Sequence, residues 1–304
     1  MQKKLLASLL ACALGISLAA CGSSGASSST EDTEAAAAAA EETEAADTAA
    51  EEETAEPAEN VELVVFAAAS MTETLTEISE MYKEVAPNVT LTFNFDSSGT
   101  LKTQIQEGAE CDLFISAGQT QMNQLDINAD PEVNTEGLDF VDEDSRVDIL
   151  ENRVTLCVTD DNEAGLQSFD DMAEALREGT ILMAMGNSDV PVGQYTQSIL
   201  EYYGLDEQEL AANGEISYGS NVKEVTTQIK EGSVDCGVIY CTDAYSAGLN
   251  IVDYATADMC GQVIYPAAVL KTAAHPEEAQ AFLDYLQTDA CMAVFEEVGF
   301  SGVE

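Results

Sequence analysis

The chain has few basic residues and a single histidine. Its 304 residues include 10 lysines and arginines against 57 acidic residues, which gives a formal net charge of −47 at pH 7. A nucleic-acid partner would need a basic surface, so this balance argues against one. An anion would have to be captured against the long-range field, by short-range donors in a closed pocket.

The sequence also lacks the usual signatures of a zinc site and of a hydrolase. No two of its eight cysteines form a C-x-x-C pair, and His275 alone cannot complete a zinc site of usual spacing. No G-x-S-x-G motif accompanies His275, and Ser98-Gly99 lacks the flanking pattern of a nucleophile elbow. We therefore expect a protein that is not an enzyme and has no cofactor.

Six cysteines lie beyond residue 60, and we expect most of them to be free. Cys111, Cys157 and Cys236 lie in or beside predicted strands, where cysteine behaves as a small buried hydrophobe. Disulfides remain an open alternative outside the cytoplasm.

The first 21 residues are typical of a targeting segment. Lys3 and Lys4 precede an apolar run from Leu5 to Ala20, and Leu18-Ala-Ala-Cys21 resembles the lipobox of bacterial lipoproteins. A membrane-spanning anchor is the alternative, but the apolar run is short for one. We expect cleavage before Cys21 and lipidation of Cys21, which would anchor the protein to the extracytoplasmic side of the cell membrane.

Residues 22–60 have the composition of a disordered acidic spacer rich in Ala, Glu and Ser. Twelve acidic residues fall between Glu31 and Glu59, with no Lys or Arg. Such a segment buries too little apolar surface to offset the entropy of ordering it. An adhesive or structural surface lipoprotein, for which this spacer would be the functional part, is an alternative of a different class.

A short repeat indicates two similar halves in the rest of the chain. Thr103-Gln-Ile-Gln-Glu-Gly108 recurs 124 residues later as Thr227-Gln-Ile-Lys-Glu-Gly232. Each copy predicts a helix that ends at glycine and is followed by a buried strand. Helix starts offer free N–H groups and partial positive charge, so two of them facing one cleft would hold an anion.

Strands and helices alternate from residue 61 onward, which predicts mostly parallel sheets with helices on both faces. Ser70-Met-Thr-Glu73 has the form of a capping box and makes Ser70 a candidate N-cap. The irregular acidic stretch 130–152 and the region after Tyr240 suggest two crossings between lobes. We expect residues 61–141 and 242–304 to form lobe 1 and residues 142–241 to form lobe 2, with a cleft between them.

Five motifs, in this order and spacing, resemble the molybdate-binding proteins of ABC importers. They are Val65-Phe-Ala-Ala-Ala-Ser70, Asp96-Ser-Ser-Gly-Thr-Leu101, Asp112-Leu-Phe-Ile-Ser-Ala117, Pro191-Val-Gly193 and Gly237-Val-Ile-Tyr240. The resemblance spans residues 61–301 and implies an α/β, two-lobed periplasmic-binding-protein fold of type II. It implies capture of molybdate, and of tungstate, by a monomer that delivers the anion to an ABC permease with its ATPase.

The resemblance also implies which residues hold the anion. Carried over by motif, they are the hydroxyls of Ser70 and Ser98, the backbone N–H groups of Val192 and Val222, and the hydroxyl of Tyr240. The family uses no basic side chain here, and molybdenum is bound only as its oxyanion, without protein ligands to the metal. Donors alone suffice for a tetrahedral dianion that carries no proton near neutral pH.

Two further features leave alternatives open. Asp96, two residues before Ser98, is either an acceptor for a protonated anion such as phosphate or a carboxylate that points outward and caps the helix. Sulfate has the charge of molybdate, so only cavity size can separate the two anions. Tyr202-Tyr203 suggests the tyrosine pair of ferric-ion binders, but adjacent helix positions diverge by about 100°, which favours helix packing.

Overall fold

The computed structural model describes residues 59–303 of the chain. The predicted signal peptide (1–21), the lipidation site Cys21 and almost all of the spacer 22–60 lie outside the described residues. Within residues 59–303, no helix combines the length and the apolar character that crossing a membrane requires.

Ten strands form two separate five-stranded sheets. In chain order the strands are β1 (Val61–Ala68), β2 (Val89–Asp96), β3 (Leu113–Ile115), β4 (Val147–Asn152), β5 (Val154–Val158), β6 (Met183–Gly186), β7 (Ile216–Gly219), β8 (Cys236–Tyr240), β9 (Asn250–Tyr254) and β10 (Val263–Val269). The first sheet has the order β2-β1-β3-β10-β4, and the second has the order β7-β6-β8-β5-β9. We call the first sheet with its helices the first lobe and the second sheet with its helices the second lobe.

Each sheet is mixed, with the same arrangement in both lobes. Three strands are parallel (β2, β1 and β3 in one, β7, β6 and β8 in the other). A fourth strand, β10 or β5, runs antiparallel to them, and the fifth, β4 or β9, pairs antiparallel with that fourth strand. The expected alternation of strands and helices is confirmed for the parallel strands. The antiparallel pair in each sheet, β10 with β4 and β5 with β9, was not expected.

Eleven helices surround these sheets in the described part of the chain. They are α1 (Thr72–Val85), α2 (Ser98–Gln106), α3 (Gln119–Asn123), α4 (Phe169–Glu178), α5 (Pro191–Tyr202), α6 (Glu207–Asn213), α7 (Val222–Lys230), α8 (Cys241–Ala247), α9 (Ala257–Cys260), α10 (Pro276–Leu286) and α11 (Asp289–Val298). Amphipathic spacing explains how they pack: α1, for example, buries Leu75, Ile78 and Tyr82. Full burial of each such side chain contributes about 1.5–3 kcal/mol.

The repeated sequence forms equivalent helices. Helix α2 connects the edge strand β2 to β3, and α7 connects the edge strand β7 to β8. Both helices have a polar N-cap, Ser97 in α2 and Asn221 in α7, whose side chain accepts a hydrogen bond from a backbone N–H group in the first turn. Both end near a glycine with positive φ, Gly108 and Gly232. The prediction of two similar helix–strand units is confirmed.

Strand pairing puts the crossings between lobes later than the expected ranges. Strand β4 lies within the range 142–241 that was expected for lobe 2, yet it pairs with β10 in the first sheet. Strand β9 lies within 242–304, expected for lobe 1, yet it pairs with β5 in the second sheet. Edge-strand membership depends on partners far away in sequence, so the local pattern does not reveal it.

The six cysteines of the described residues are free thiols. Five are buried, and Cys260 is half-buried. This agrees with the expectation of mostly free thiols. Burial is the main reason that the pKa of each of these thiols lies above its ordinary value, so they behave as small apolar side chains.

Candidate functional site

All five residues predicted to contact an anion line one cavity between the lobes. Ser70 and Ser98 come from the first lobe, and Val192, Val222 and Tyr240 come from the second. The cavity has a volume of about 10 Å³. Pockets for drug-sized molecules are roughly 300–1,000 Å³, so this cavity is far too small for such a molecule.

Topology brings these residues together, because each lies at or just after the carboxyl end of a parallel strand. Ser70 lies in a short 3-10 turn after β1, and Ser98 is the first residue of α2, after β2. Val192 lies in the first turn of α5, after β6, and Val222 is the first residue of α7, after β7. Tyr240 is the last residue of β8. Ligands of open α/β sheets bind outside the carboxyl ends of the strands, and helix starts there attract anions.

Ser98 is fully buried, and its hydroxyl has a free proton. Its Oγ accepts a hydrogen bond of 2.9 Å from the N–H group of Ala117. The N-cap of α2 is its neighbour Ser97, whose Oγ accepts from the N–H group of Thr100. Since Ser97 does the capping, the Ser98 O–H remains available to a ligand in the cavity.

Ser70 is not the N-cap that the sequence predicted. The N-cap of α1 is Met71, and no side chain caps that helix. The 3-10 turn Ala69–Met71 moves the N-cap one residue along the chain, from Ser70 to Met71. The Ser70 Oγ instead lies 2.9 Å from the hydroxyl of Tyr265.

Backbone N–H groups at two helix starts complete the donors from the second lobe. The first turn of a helix has no intrahelical acceptor for its N–H groups. Val192 lies in such a turn, directly after Pro191 at the first helical position, and Val222 begins α7. Both valines are buried, so their side chains form part of the cavity wall.

Tyr240 is a neutral hydrogen-bond donor. Its side chain is buried, and burial raises the pKa of its hydroxyl well above the ordinary value. Its Oη lies 3.4 Å from the carbonyl oxygen of Ala117, in the first lobe. This long contact is weak, so the hydroxyl can turn to a better acceptor in the cavity.

Among the described residues, those that line the cavity include no lysine, arginine or histidine. Asp96 is the one charged residue in the lining. Its Oδ1 accepts from the N–H group of Ser97 at 2.7 Å and from the side-chain amide of Asn221 at 3.4 Å. Asp96 therefore lies in the cavity lining and accepts hydrogen bonds from groups at the starts of α2 and α7, but it is not the cap of α2, which is Ser97.

The lobes are in close contact at the cavity. A Cβ atom on Gly99 would overlap the carbonyl oxygen of Asp189, which precedes α5 in the other lobe. A Cβ atom on Gly118 would lie 3.2 Å from Cβ of Pro191. Glycine at both positions lets the backbones of the two lobes approach each other, and we call this arrangement, with the lobes in contact, the closed form.

Three residues that support the site were not identified from the sequence. Ala117 bonds Ser98 through its N–H group and Tyr240 through its carbonyl oxygen. Asn221 caps α7, and the repeat offset of 124 residues from Ser97 would have found it. Tyr265 contacts Ser70 from 195 residues away, and no local pattern signals that contact.

The tyrosine pair lies outside the cavity. Tyr202 is exposed, and the hydroxyl of Tyr203 donates to Asp170 at 2.9 Å. His275 precedes α10, where its backbone N–H group donates to Asp112.

Comparison with known proteins identifies the family to which this chain belongs. Residues 63–301 match the model of the family described as bacterial extracellular solute-binding protein. A putative ABC transporter substrate-binding lipoprotein of Bacillus subtilis, YvgL, is 33% identical over 82% of this chain and 89% of its own length. The molybdate-binding protein ModA of Haemophilus influenzae is 28% identical over 80% of this chain and 91% of its own.

The solved structures with a similar fold include the substrate-binding domain of a putative molybdenum ABC transporter from Clostridium difficile, with 30% identity and a TM-score of 0.57. The match covers 81% of this chain and 100% of that domain.

Proposed function

Because the chain belongs to the family of bacterial extracellular solute-binding proteins, we propose that it captures molybdate between its two lobes. Its fold is the two-lobed periplasmic-binding-protein fold of type II, flanked by helices as expected. Such proteins work outside the cytoplasm as the substrate-binding components of ABC importers. The similarity to molybdate-binding relatives supports molybdate as the ligand.

The observation that carries the proposal is a buried set of donors without a cationic side chain. Ser70, Ser98 and Tyr240 offer hydroxyls, and Val192 and Val222 offer N–H groups, around one small cavity. Molybdate and tungstate are fully deprotonated near neutral pH, so they accept hydrogen bonds at every oxygen and donate none. Each helix start adds about 0.3–1 kcal/mol, and up to ~2 kcal/mol in a partly buried site.

Delivery of molybdate to an ABC permease follows from the role of a substrate-binding component. The closed form would present the loaded protein to a membrane permease with its ATPase, and a lipid on Cys21 would keep it at the membrane. The acidic spacer would hold the binding lobes away from the anionic surface, and a monomer suffices because one chain contains the whole donor set.

Isothermal titration of the purified protein with molybdate, tungstate, sulfate and phosphate tests the ligand. We expect tight binding of molybdate and tungstate and weak binding of the other two. At 100 times its dissociation constant, the bound anion should raise the free energy of unfolding by about 2.7 kcal/mol. Binding of sulfate or phosphate without binding of molybdate or tungstate would overturn the proposal.

Tyr240→Phe tests whether the proposed cavity is the binding site. This change removes one donor, and we expect the dissociation constant for molybdate to rise about tenfold or more, since hydrogen bonds to charged groups are worth roughly 1.5–3 kcal/mol. Tyr195→Phe is the matched control, because Tyr195 packs edge-on against Tyr240 at 6.4 Å but does not line the cavity. Equal affinity of the two variants would contradict this site.

A receptor for a protonated oxyanion is the second candidate, and the position of Asp96 favours it. If Asp96 accepts a hydrogen bond from the P–O–H group of a protonated phosphate, Asp96→Asn should weaken phosphate binding at least tenfold. If Asp96 only orders the helix starts, the variant should keep its molybdate affinity within about threefold, because an asparagine oxygen can still accept from the Ser97 N–H group.

A further inference from the structure

A chain of buried hydrogen bonds connects Ser70 to the crossing between the lobes. The Ser70 Oγ lies 2.9 Å from Oη of Tyr265, and Nδ2 of Asn152 lies 3.1 Å from the same Oη. Asn152 is the last residue of β4, directly before the chain enters the second lobe at β5. All three side chains are buried, so water does not compete for these bonds.

The donor and the acceptor in each of these hydrogen bonds are fixed from the Asn152 end of the network. The backbone N–H group of Arg153 can only donate, and it lies 2.8 Å from Oδ1 of Asn152. This bond sets the orientation of the amide, so Nδ2 faces Tyr265, and also Thr242 at 3.0 Å. An amide NH₂ group has only protons to offer, so the Tyr265 Oη accepts one.

The remaining bond then has one possible direction. Among the described residues, only Asn152 and Ser70 lie within hydrogen-bond distance of the Tyr265 Oη, and the Asn152 amide NH₂ cannot accept. The Tyr265 O–H group therefore has one available acceptor, the Oγ of Ser70. Ser70 is the acceptor in that bond, and its own proton is free to point into the cavity that Ser70 lines. A hydroxyl that accepts one hydrogen bond also becomes a better donor, because hydrogen bonds in a chain polarise one another.

We propose that Tyr265 is a positioning residue for anion binding. It holds the Ser70 hydroxyl as an acceptor on one side, so that the Ser70 proton is directed at the bound oxyanion on the other. This inference rests on the proposed function, since it needs an anion in the cavity. Tyr265 does not line the cavity itself and acts only through Ser70.

A double-mutant cycle with titration of molybdate tests the proposal. Tyr265→Phe keeps the ring, which packs against Tyr240 at 5.9 Å and Phe300 at 5.2 Å, and removes only the hydroxyl. We expect its dissociation constant to rise about five- to tenfold. In a Ser70→Ala background, where no proton remains to be directed, Tyr265→Phe should change the dissociation constant less than twofold.

The outcomes separate this inference from the proposed function. Tyr82→Phe is the matched control, because Tyr82 is a buried tyrosine of the same lobe away from the cavity, and it should bind as the wild type does. A wild-type protein that binds no molybdate would sink the proposed function. If the wild-type protein does bind molybdate, two results would overturn the positioning role alone. Tyr265→Phe could have no effect, or it could have the same effect in the wild-type and in the Ser70→Ala background.

Discussion

The Nζ atom of Lys223, in the second lobe, lies 2.7 Å from Oε2 of Glu73, in the first lobe. Lys223 directly follows Val222, so this ion pair joins the lobes one residue away from a proposed anion contact. The same Nζ lies 3.1 Å from Oδ1 of the buried Asp243. Burial lowers the pKa of Lys223, but the two carboxylates raise it by more, so the lysine stays charged. Its charge is therefore directed to carboxylates and not to the cavity.

The ion pair between the lobes should favour the closed form. Glu73→Gln removes it, and we expect the dissociation constant for molybdate to rise about two- to fivefold, because a partly exposed pair is worth roughly 0.2–1 kcal/mol. Titration at low and at high salt measures the effect, which should shrink as salt screens the pair. Glu77→Gln, an exposed residue of the same helix, is the control. If both variants bind equally well at low salt, the pair does not assist closure.

Asp243 should make stability depend on pH in the acid range. Burial raises the pKa of Asp243 from 3.8 to about 6, although Lys223 opposes this shift. Between about pH 4 and 6 the folded state keeps a proton that the unfolded state has released, so this residue makes stability fall as pH rises. Asp243→Asn removes the effect. We expect the free energy of unfolding of the variant, relative to wild type, to gain about 2 kcal/mol from pH 4 to pH 7.

Urea denaturation at several pH values measures this gain. Most of it should occur below pH 6, with a plateau above. Asp258→Asn replaces an exposed aspartate at the start of α9 and should show no comparable change. A difference between Asp243→Asn and wild type that is flat from pH 4 to pH 7 would mean that folding does not raise the pKa of Asp243.

Sequence patterns predicted the parts of this protein that depend on local order. The repeat of Thr-Gln-Ile predicted the equivalence of α2 and α7, and the motifs predicted that Ser98 and Val222 would begin those helices at one cavity. Apolar periodicity and glycine at helix ends are local signals, and they identified the alternating elements. Anion binding by these residues remains a prediction.

Contacts between distant segments were beyond the reach of the same patterns. Ser70 and Tyr265 are 195 residues apart, and Glu73 and Lys223 are 150 residues apart. The partner of β4 is β10, more than 100 residues later. Each depends on how whole elements pair, and a capping-box pattern at Ser70 was overridden by the 3-10 turn that packs before α1. The supporting network of the site therefore required the structure.

Ser97 and Ser98 should have separable roles. Ser97 caps α2, so Ser97→Ala should lower the free energy of unfolding by about 1 kcal/mol and change the dissociation constant for molybdate less than threefold. Ser98→Ala removes a proposed contact to the anion and should raise the dissociation constant tenfold or more. It also leaves the Ala117 N–H group unbonded, at a cost of about 1–3 kcal/mol in stability. Urea denaturation with titration distinguishes the two, and an equal loss of affinity would contradict the assignment.

Gly99 should be required for closure but not for folding. Its position in the first turn of α2 lies against the Asp189 carbonyl of the other lobe, where a side chain has no room. Gly99→Ala should block the closed form and raise the dissociation constant for molybdate at least 100-fold, since closure completes the donor set. The unligated variant should be as stable as wild type or more so, because alanine favours helix over glycine by about 1 kcal/mol. Gly302→Ala, where a Cβ atom makes only an ordinary contact with Met292, is the control. Melting curves with and without molybdate measure both effects. If molybdate stabilises Gly99→Ala as fully as it stabilises the wild-type protein, binding does not need the close approach of Gly99 to Asp189.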